Sequence, residues 1–252
     1  MGRAKEIELK VLPAKIANEF VKKHHYSGKV VQNSSLHFGA FLDGGLHGVL
    51  SFGPSLDKSK IVGLVQGTGW NEFIELNRMA FDEYLPRNSE SFCIGKAIRM
   101  IKKMAPQIKW IISFADGTQC GDGTIYRASN FVLTSIKPNK SIMILPSGNT
   151  ISQVTITANW NCAQLKEECD FLGIPLIYRP VSEWIKLGAK YIVGYQLRYI
   201  YFIDKSYRKN LTVPEIPFSK IDEIGAGMYK GERVSQEERH AKKTEKEKKD
   251  DV

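Results

Sequence analysis

The chain has 252 residues, of which 42% are hydrophobic and 10% aromatic, enough to bury the core of a large folded domain. This composition excludes a disordered protein, and no apolar run approaches the roughly 18 residues that a membrane span requires. The charged stretch Arg3–Lys10 predicts no secretory signal, so we expect a cytoplasmic protein without a membrane partner. The four cysteines have no paired spacing, which predicts free thiols.

The net charge of +9 lies mainly on the residues that precede position 230. Residues 230–252 carry eight basic and seven acidic side chains, which predicts a charged, disordered tail. Residues 1–229 are expected to form a single domain with an embellishment around residues 141–190. Its basic side chains concentrate in Lys96–Lys109 and Lys190–Lys209, which favours a polyanion such as DNA or RNA as partner. A surface that only keeps the protein soluble is the alternative.

The first part of the chain predicts a helix, a β-hairpin and a strand. Apolar residues recur at helical spacing through residues 11–23, before a stretch that ends in Gly28. Leu36–Leu42 and Leu46–Phe52 are typical of two strands, because the turn sequence Asp43-Gly44-Gly45 separates them. A further strand is predicted over Ile61–Val65.

The region from Ile74 to Thr134 predicts the order strand, helix, strand, helix, strand. The first strand covers Ile74–Phe81, and Pro86 breaks it before a helix that ends ahead of Pro106. The apolar Ile108–Phe114 predicts the second strand, followed by a short helix over Thr124–Ser129 and a strand from Phe131. A parallel strand pair joined by a helix is the common α/β unit. The chain then adds a hairpin over Ser141–Thr157, a helix over Ala163–Phe171 and a strand over Tyr191–Asp204.

This order resembles the central part of the GNAT (acetyltransferase-like) superfamily, in which a strand leads into a turn whose amides hold the pyrophosphate of acyl-CoA. We therefore expect an α/β, GNAT-like mixed sheet flanked by helices, with extra C-terminal strands. The corresponding turn is Arg87-Asn88-Ser89-Glu90-Ser91, which lacks the RxxGxG/A pattern of that superfamily. Arg87 and Asn88 are candidates for binding the anionic part of a group donor at the helix start, and a plain capped helix is the alternative.

Two other features carry side chains that can do chemistry. His24-His25-Tyr26 ends the first predicted helix, where imidazole can act as a base or a metal ligand and phenolate can bind iron. Packing and capping would explain the same residues. Asp116 follows a buried strand, a position at which α/β proteins bind ligands. An Asx turn with Gly117 is its alternative role.

Five short stretches together resemble the Mom-type DNA modification proteins of Mu-like bacteriophages. In the order of that family, they are His24-His25-Tyr26-Ser27-Gly28, Glu75-Leu76-Asn77-Arg78-Met79, Pro86-Arg87-Asn88-Ser89-Glu90-Ser91, Ser113-Phe114-Ala115-Asp116 and Gly123-Thr124-Ile125-Tyr126. The resemblance implies a GNAT-like protein that converts adenine in DNA to a carbamoylmethyl derivative on the exocyclic amine, and so protects phage DNA from host restriction. It further implies an iron ion held by His25, Tyr26 and Asp116, and an active centre lined by Arg78, Ser89, Ser91 and Tyr126.

We therefore expect a DNA adenine-modifying transferase of this GNAT-like class. Since the stack of a duplex restricts access to the amine, the target adenine is expected to be flipped out. Iron is the expected cofactor, and the group donor is either an acyl-CoA or another molecule. One alternative is a conventional acyl-CoA-dependent N-acyltransferase that acts on a small amine or a protein. Another is a nucleic-acid-binding protein that keeps only the fold.

Overall fold

The computed structural model describes residues 3–118, 121–229 and 232–233. The chain divides into two compact units. The first contains Met1–Ala115, Gly123–Ser135 and Leu197–Lys220, and the second contains Asp116–Asp122, Ile136–Gln196 and Ile221–Val252. Apart from Glu232–Arg233, the predicted tail over residues 230–252 lies outside the described residues. Across the described parts of the chain, no helix combines the length and the apolar character needed to cross a membrane.

The strands, in chain order, are β1 Glu8–Val11, β2 Leu36–Leu42, β3 Gly45–Gly53, β4 Phe73–Phe81, β5 Trp110–Asp116, β6 Val132–Asn139, β7 Ile142–Ile144, β8 Thr150–Ser152, β9 Lys190–Tyr191, β10 Gly194–Phe202, β11 Met228–Tyr229 and β12 Glu232–Arg233. The α-helices are α1 Ala14–His24, α2 Lys58–Val62, α3 Ser89–Met104, α4 Thr124–Ala128, α5 Gln153–Ala158, α6 Ala163–Leu172, α7 Val181–Lys186 and α8 Ser219–Glu223. Arg3–Glu6 and Lys205–Asn210 form 3₁₀ turns.

A seven-stranded mixed sheet with the order β1-β2-β3-β4-β5-β10-β6 forms the main structure. The pairs from β1 to β4 are antiparallel, and β4 pairs with β5 in parallel. Asp204 N donates to Lys109 O at 2.9 Å, and Gly117 N donates to Tyr195 O at 2.8 Å. The first bond joins the end of β10 to the start of β5, and the second joins the end of β5 to the start of β10. The two strands are therefore antiparallel. The expected α/β class, with a mixed sheet flanked by helices and further strands towards the C-terminus, is confirmed.

The predicted hairpin and first helix are confirmed, with local causes in the sequence. Asp43 and Gly44 have φ values of 50° and 81°, and two residues with positive φ make the turn that suits the twist of a two-residue hairpin. Helix α1 buries Ala17 and Val21 against Val49 of β3 and Ala80 of β4. It therefore covers the face of the sheet to which Val49 and Ala80 belong.

The predicted strand over Ile61–Val65 is wrong. Residues Lys58–Val62 form α2 instead, and the amides of Lys60 and Ile61 both donate to Asp57 O at 3.1 Å. Of the predicted segment, only Val65 makes a β-bridge, with Leu211. A short apolar run can be buried as a helix or as a strand, and here both ends of the run reach the same core cluster.

The second unit has its own small sheet and apolar core. The sheet has the order β8-β7-β9, and the turn that joins β7 and β8 lies within the hairpin predicted over Ser141–Thr157. Trp184 of α7, which is only 2% exposed, packs in a cluster with residues of this sheet and of α5 and α6. The sequence did not predict α7.

Candidate active site

A β-bulge in β4 places Glu75 and Arg78 on the same face of the sheet. Ser51 of β3 lies opposite Arg78, whereas the next residue, Phe52, lies opposite Leu76, so Asn77 is the extra residue. Side chains alternate along a regular strand, and Glu75 and Arg78 would then point to opposite faces. Because the bulge inserts one residue, both lie on the face of Ser51 and Gly53. Val49 and Ala80 lie on this same face, which α1 covers.

The backbone pairing of β4 with β5 also ends near this bulge. The pairing of β4 with β5 covers Phe73–Glu75 and Trp110–Ile112, although both strands continue beyond it. Just after the last pair, Ser113 Oγ donates to Leu76 O at 3.1 Å, and Ser113 is completely buried. Arg78 therefore lies where the two parallel strands have stopped pairing.

His25 is the C-cap of α1 and lies close to Arg78. Burial lowers the pKa of His25 to about 4, and the nearby positive charge of Arg78 acts in the same direction. The imidazole is consequently neutral at neutral pH, which is the form that can accept a proton or bind a metal. The ring of Tyr26 lies 4.3 Å from that of His25, and its side chain is half exposed.

Ser27 determines which nitrogen of His25 is available. Its hydroxyl lies 2.8 Å from Nδ1 of His25, and its backbone amide lies 3.1 Å from the same atom. Because a backbone amide can only donate, Nδ1 accepts the hydrogen bond from Ser27 N, and in the neutral ring the proton then lies on Nε2, which becomes a donor.

The guanidinium of Arg78 is held in place by backbone carbonyls. Nε donates to Lys29 O at 3.1 Å, and Nη1 donates to Asn77 O at 2.9 Å. The first bond ties β4 to the segment that follows Tyr26. The structure therefore brings together three of the predicted site residues, namely His25, Tyr26 and Arg78.

The predicted donor-binding turn leads into the longest described helix. Asn88 has a left-handed φ of 67° and precedes the 16 residues of α3. Ser89 is buried and donates its hydroxyl proton to Pro86 O, and Ser91 Oγ donates to Asn88 O at 3.1 Å. Both hydroxyls thus stabilise the turn, while their oxygens can still accept a hydrogen bond. Arg87 and Asn88 are exposed beside the N-terminal amides of the helix, which have no partners within it.

Tyr126 and Asp116 are the remaining predicted site residues. Tyr126 is on α4, which packs against α3, and its buried ring contacts those of Tyr199 and Phe131. Asp116 belongs to the second unit, where Oδ1 accepts from Thr118 N at 3.0 Å and from Asn139 Nδ2 at 3.3 Å. The bond to Thr118 is the predicted Asx turn, although it is completed one residue beyond Gly117.

Sequence reasoning missed Glu75 and Asn77, which accompany Arg78 on β4. Burial raises the pKa of the Glu75 carboxyl, while Ser55, Asn77 and Arg78 act in the opposite direction. The signal was present, since polar side chains at alternate positions of an otherwise apolar strand indicate a function on one face. Within the described residues, no group of three or more His, Cys, Asp or Glu side chains is arranged to hold a metal ion.

Comparisons with known proteins give the family of the chain. A sequence model of the Mom protein family matches residues 6–220. The chain is 32% identical over 209 residues to the methylcarbamoylase Mom of Escherichia phage Mu, covering 82% of this chain and 80% of the relative.

Similar solved structures include an IAA acetyltransferase from Bacillus cereus, with 11% identity and a TM-score of 0.42 over 78% of this chain and 99% of that one. They also include the spermidine/spermine N-acetyltransferase SpeG of Vibrio cholerae, with 8% identity and a TM-score of 0.42 over 82% and 99% of the two chains. The family match and the relative together show that the chain belongs to the Mom protein family.

Proposed function

We propose that the chain is a transferase that modifies DNA by converting adenine to its N6-carbamoylmethyl derivative. Its membership of the Mom family and its likeness to a methylcarbamoylase support this proposal. The observation that carries it furthest is the convergence of His25, Tyr26 and Arg78 at the end of α1. A neutral imidazole, a phenol and a fixed cation make a site suited to activating a weak nucleophile such as an aromatic amine.

The C-terminal end of α1 and the N-terminal end of α3 contribute to different parts of the proposed reaction. Arg78, with one guanidinium nitrogen not used by the carbonyls of Lys29 and Asn77, would stabilise negative charge that develops on the donor. The N-terminal amides of α3 and the exposed Arg87 and Asn88 would bind an anionic part of the donor, whether an acyl-CoA or another molecule. Ser89, Ser91 and Tyr126 would line this part of the site.

Iron is the cofactor that we propose, with His25, Tyr26 and Asp116 as its ligands. His25 fits this role because burial keeps its imidazole in the neutral form that binds metals. Phenol and carboxylate oxygens are hard ligands that suit iron. Bound iron would supply Lewis acidity at the site. Measurement of bound iron in His25→Ala, Tyr26→Phe and Asp116→Ala tests the assignment, and full iron content in all three would refute it.

DNA is the proposed partner, with the target adenine flipped out of the duplex. The net positive charge of residues 1–229 supports this, because basic side chains bind the phosphate backbone irrespective of the DNA sequence. The reaction would take place in the cytoplasm, where bacterial DNA lies. Modified adenines would then protect phage DNA from restriction enzymes of the host.

Mass spectrometry of nucleosides tests the proposed function. DNA from cells that express the chain should contain a modified adenosine whose mass corresponds to the added carbamoylmethyl group, and DNA from cells that express Arg78→Ala should contain much less of it. If the DNA contains only unmodified adenosine while the folded protein acylates amines from acyl-CoA, the alternative of a conventional N-acyltransferase replaces the proposal. If neither product forms but salt-sensitive DNA binding persists, the chain is a binding protein.

A further inference from the structure

Trp70 is a large aromatic side chain that is exposed on an anchored loop. It is 56% exposed, and it belongs to the loop over residues 66–72 that leads into β4. The buried Trp110 holds this loop, because its indole Nε1 donates to Thr68 Oγ1 at 3.0 Å. Tryptophan is enriched where proteins bind partners, since its ring buries a large area. An anchored loop also loses little conformational entropy when a partner binds to it.

A cation lies against the ring of Trp70. Lys58 Nζ lies 4.7 Å from the centre of that ring and donates to Asn71 Oδ1 at 3.2 Å. The ring attracts the ammonium group through its π electrons, so the two side chains stabilise each other. Trp70 keeps its exposure with Lys58 in place. A ligand that stacks on this ring would therefore have a positive charge close to it.

The 3₁₀ turn that follows β10 brings further positive charge to the same loop. At the end of this turn, Asn210 O accepts from Gln66 N at 2.8 Å. The side chains of Lys205 and Lys209 are both exposed on the turn. They therefore lie on the surface beside the loop that carries Trp70, and all these residues belong to the first unit.

The carboxylates near this surface bond to neighbours of their own. Glu72 Oε2 accepts from Gly69 N at 2.7 Å and from Tyr207 OH at 3.2 Å. Three further carboxylates bond within their own segments, namely Asp57 to Lys60, Asp204 to Ser206 and Glu215 to Arg208. Together with Lys58, the two lysines of the 3₁₀ turn leave this surface with a net positive charge, which suits a phosphate backbone.

We propose that Trp70 stacks on an unpaired base of DNA, while Lys205 and Lys209 bind the phosphates beside that base. This inference rests on the proposed function, since it takes DNA as the partner, and it assigns a binding surface outside the site around Arg78. Aromatic side chains that stack on bases, combined with positive charge along the backbone, are how proteins bind single strands irrespective of sequence. Extrusion of an adenine opens the duplex, so the proposed reaction itself exposes bases that can stack.

The position of Trp70 along the chain suits a DNA molecule that also reaches Arg78. Trp70 precedes Phe73, the first residue of β4, by three positions, and Arg78 follows Phe73 by five. A strand rises about 3.3 Å per residue, so Arg78 lies about 17 Å along β4 from Phe73. This is the length of about five base pairs, since each DNA strand carries a phosphate every ~3.4 Å. One DNA molecule is thus long enough to contact both residues.

Binding of single-stranded DNA tests this surface without the group donor. The probes are two fluorescent strands of equal length, one of oligothymidine and one of abasic sugar phosphate, so that they differ in bases but not in charge. Oligothymidine contains no adenine, which keeps the target base out of the measurement. We expect the full-length protein to bind oligothymidine about tenfold more tightly than the abasic strand, the effect of one stacked base.

Two kinds of variant separate stacking from phosphate binding. Trp70→Ala should lose the preference for oligothymidine but bind the abasic strand as the wild type does, whereas the aromatic Trp70→Phe should keep part of the preference. The double variant Lys205→Ala/Lys209→Ala should weaken binding of both strands. It should also reduce the slope of log affinity against log salt by about 1.4, since each phosphate contact with a single strand contributes about 0.7.

Trp160→Ala is the matched control, because it removes a tryptophan that is 37% exposed and belongs to the second unit. It should bind both strands as the wild type does. Thermal unfolding identifies any variant that fails to fold. If Trp70→Ala does not fold, Trp70→Gln, which keeps a longer side chain without an aromatic ring, decides the result.

A wild-type protein that binds both strands equally, or a folded Trp70→Ala protein that keeps the preference for oligothymidine, would overturn the stacking. An unchanged salt dependence in the double lysine variant would remove the two lysines from the surface. The nucleoside assay separates these results from failure of the proposed function. If the cells contain modified adenosine but the stacking is absent, only this surface is wrong. If they contain none while the preference depends on Trp70, the proposed function falls and the DNA-binding surface stands.

Discussion

Replacement of Gly53 by alanine should destabilise the protein, because the space beside Gly53 is already filled. The new Cβ would lie 2.5 Å from Asn33 O, 2.7 Å from Asn77 Oδ1 and 2.8 Å from Ser34 Cα. Two of these three atoms belong to the backbone, so they cannot move aside by a change of rotamer. Overpacking of this kind costs about 1–3 kcal/mol, and the lower entropy of the unfolded alanine chain offsets about 0.4–1 kcal/mol of it. We expect a net loss of about 1–2 kcal/mol.

Urea denaturation measures the effect, and Gly63→Ala is its matched control. A Cβ at Gly63 would have only Lys60 O nearby, at 3.9 Å, and its φ of −69° suits any residue. The control should therefore be neutral or slightly stabilising. The slope of the denaturation curve should be the same for both variants and the wild type, since the area exposed on unfolding is the same. A Gly53→Ala midpoint equal to that of the wild type would show that the loop with Asn33 and Ser34 is not seated against β3.

Three further results are expected. Burial lowers the pKa of His37 in the folded state, so at pH values between this lowered pKa and the usual value near 6.5 only the unfolded chain binds the proton. The free energy of unfolding should therefore decrease as the pH falls through that window. His37→Asn should reduce this decrease in denaturation curves measured at several pH values. Trp184→Ala should cost about 3–5 kcal/mol in the same assay because it empties the core of the second unit, whereas Val193→Ala, at a position that is 70% exposed, should cost little. Burial raises the pKa of Cys93 to about 12, so mass spectrometry should find this thiol unlabelled by iodoacetamide near neutral pH until the chain is unfolded, and rapid labelling of the native protein would contradict the described burial.

Much of the fold was predictable because its causes are local. The turn at Asp43 and Gly44 needs only two residues that tolerate positive φ, and the pattern of α1 needs only apolar residues at helical spacing. The segment Ile61–Val65 shows where local reasoning fails. As a short helix and a single β-bridge, its apolar residues pack into the core cluster around Trp110. That cluster forms only in the tertiary structure.

The candidate site divides in the same way. The motif around Arg78 and the residues His25 and Tyr26 were identifiable from the sequence, because their side chains are the kinds that bind anions, metals and protons. Their relation in space depends on a register shift between β3 and β4. A bulge is a property of two paired strands, and the sequence of β4 alone contains no sign that Glu75 and Arg78 share a face.

By itself, the sequence determined the family, the α/β class and the types of side chain available for chemistry. These properties depend on composition, short motifs and periodicities that persist along the chain. Only the tertiary structure decided which of those side chains meet. It joined the end of α1 to Arg78 through Lys29, and it packed the loop with Asn33 against Gly53, opposite Glu75. Contacts between residues that are distant in the sequence follow from strand register and close packing, which no local pattern specifies.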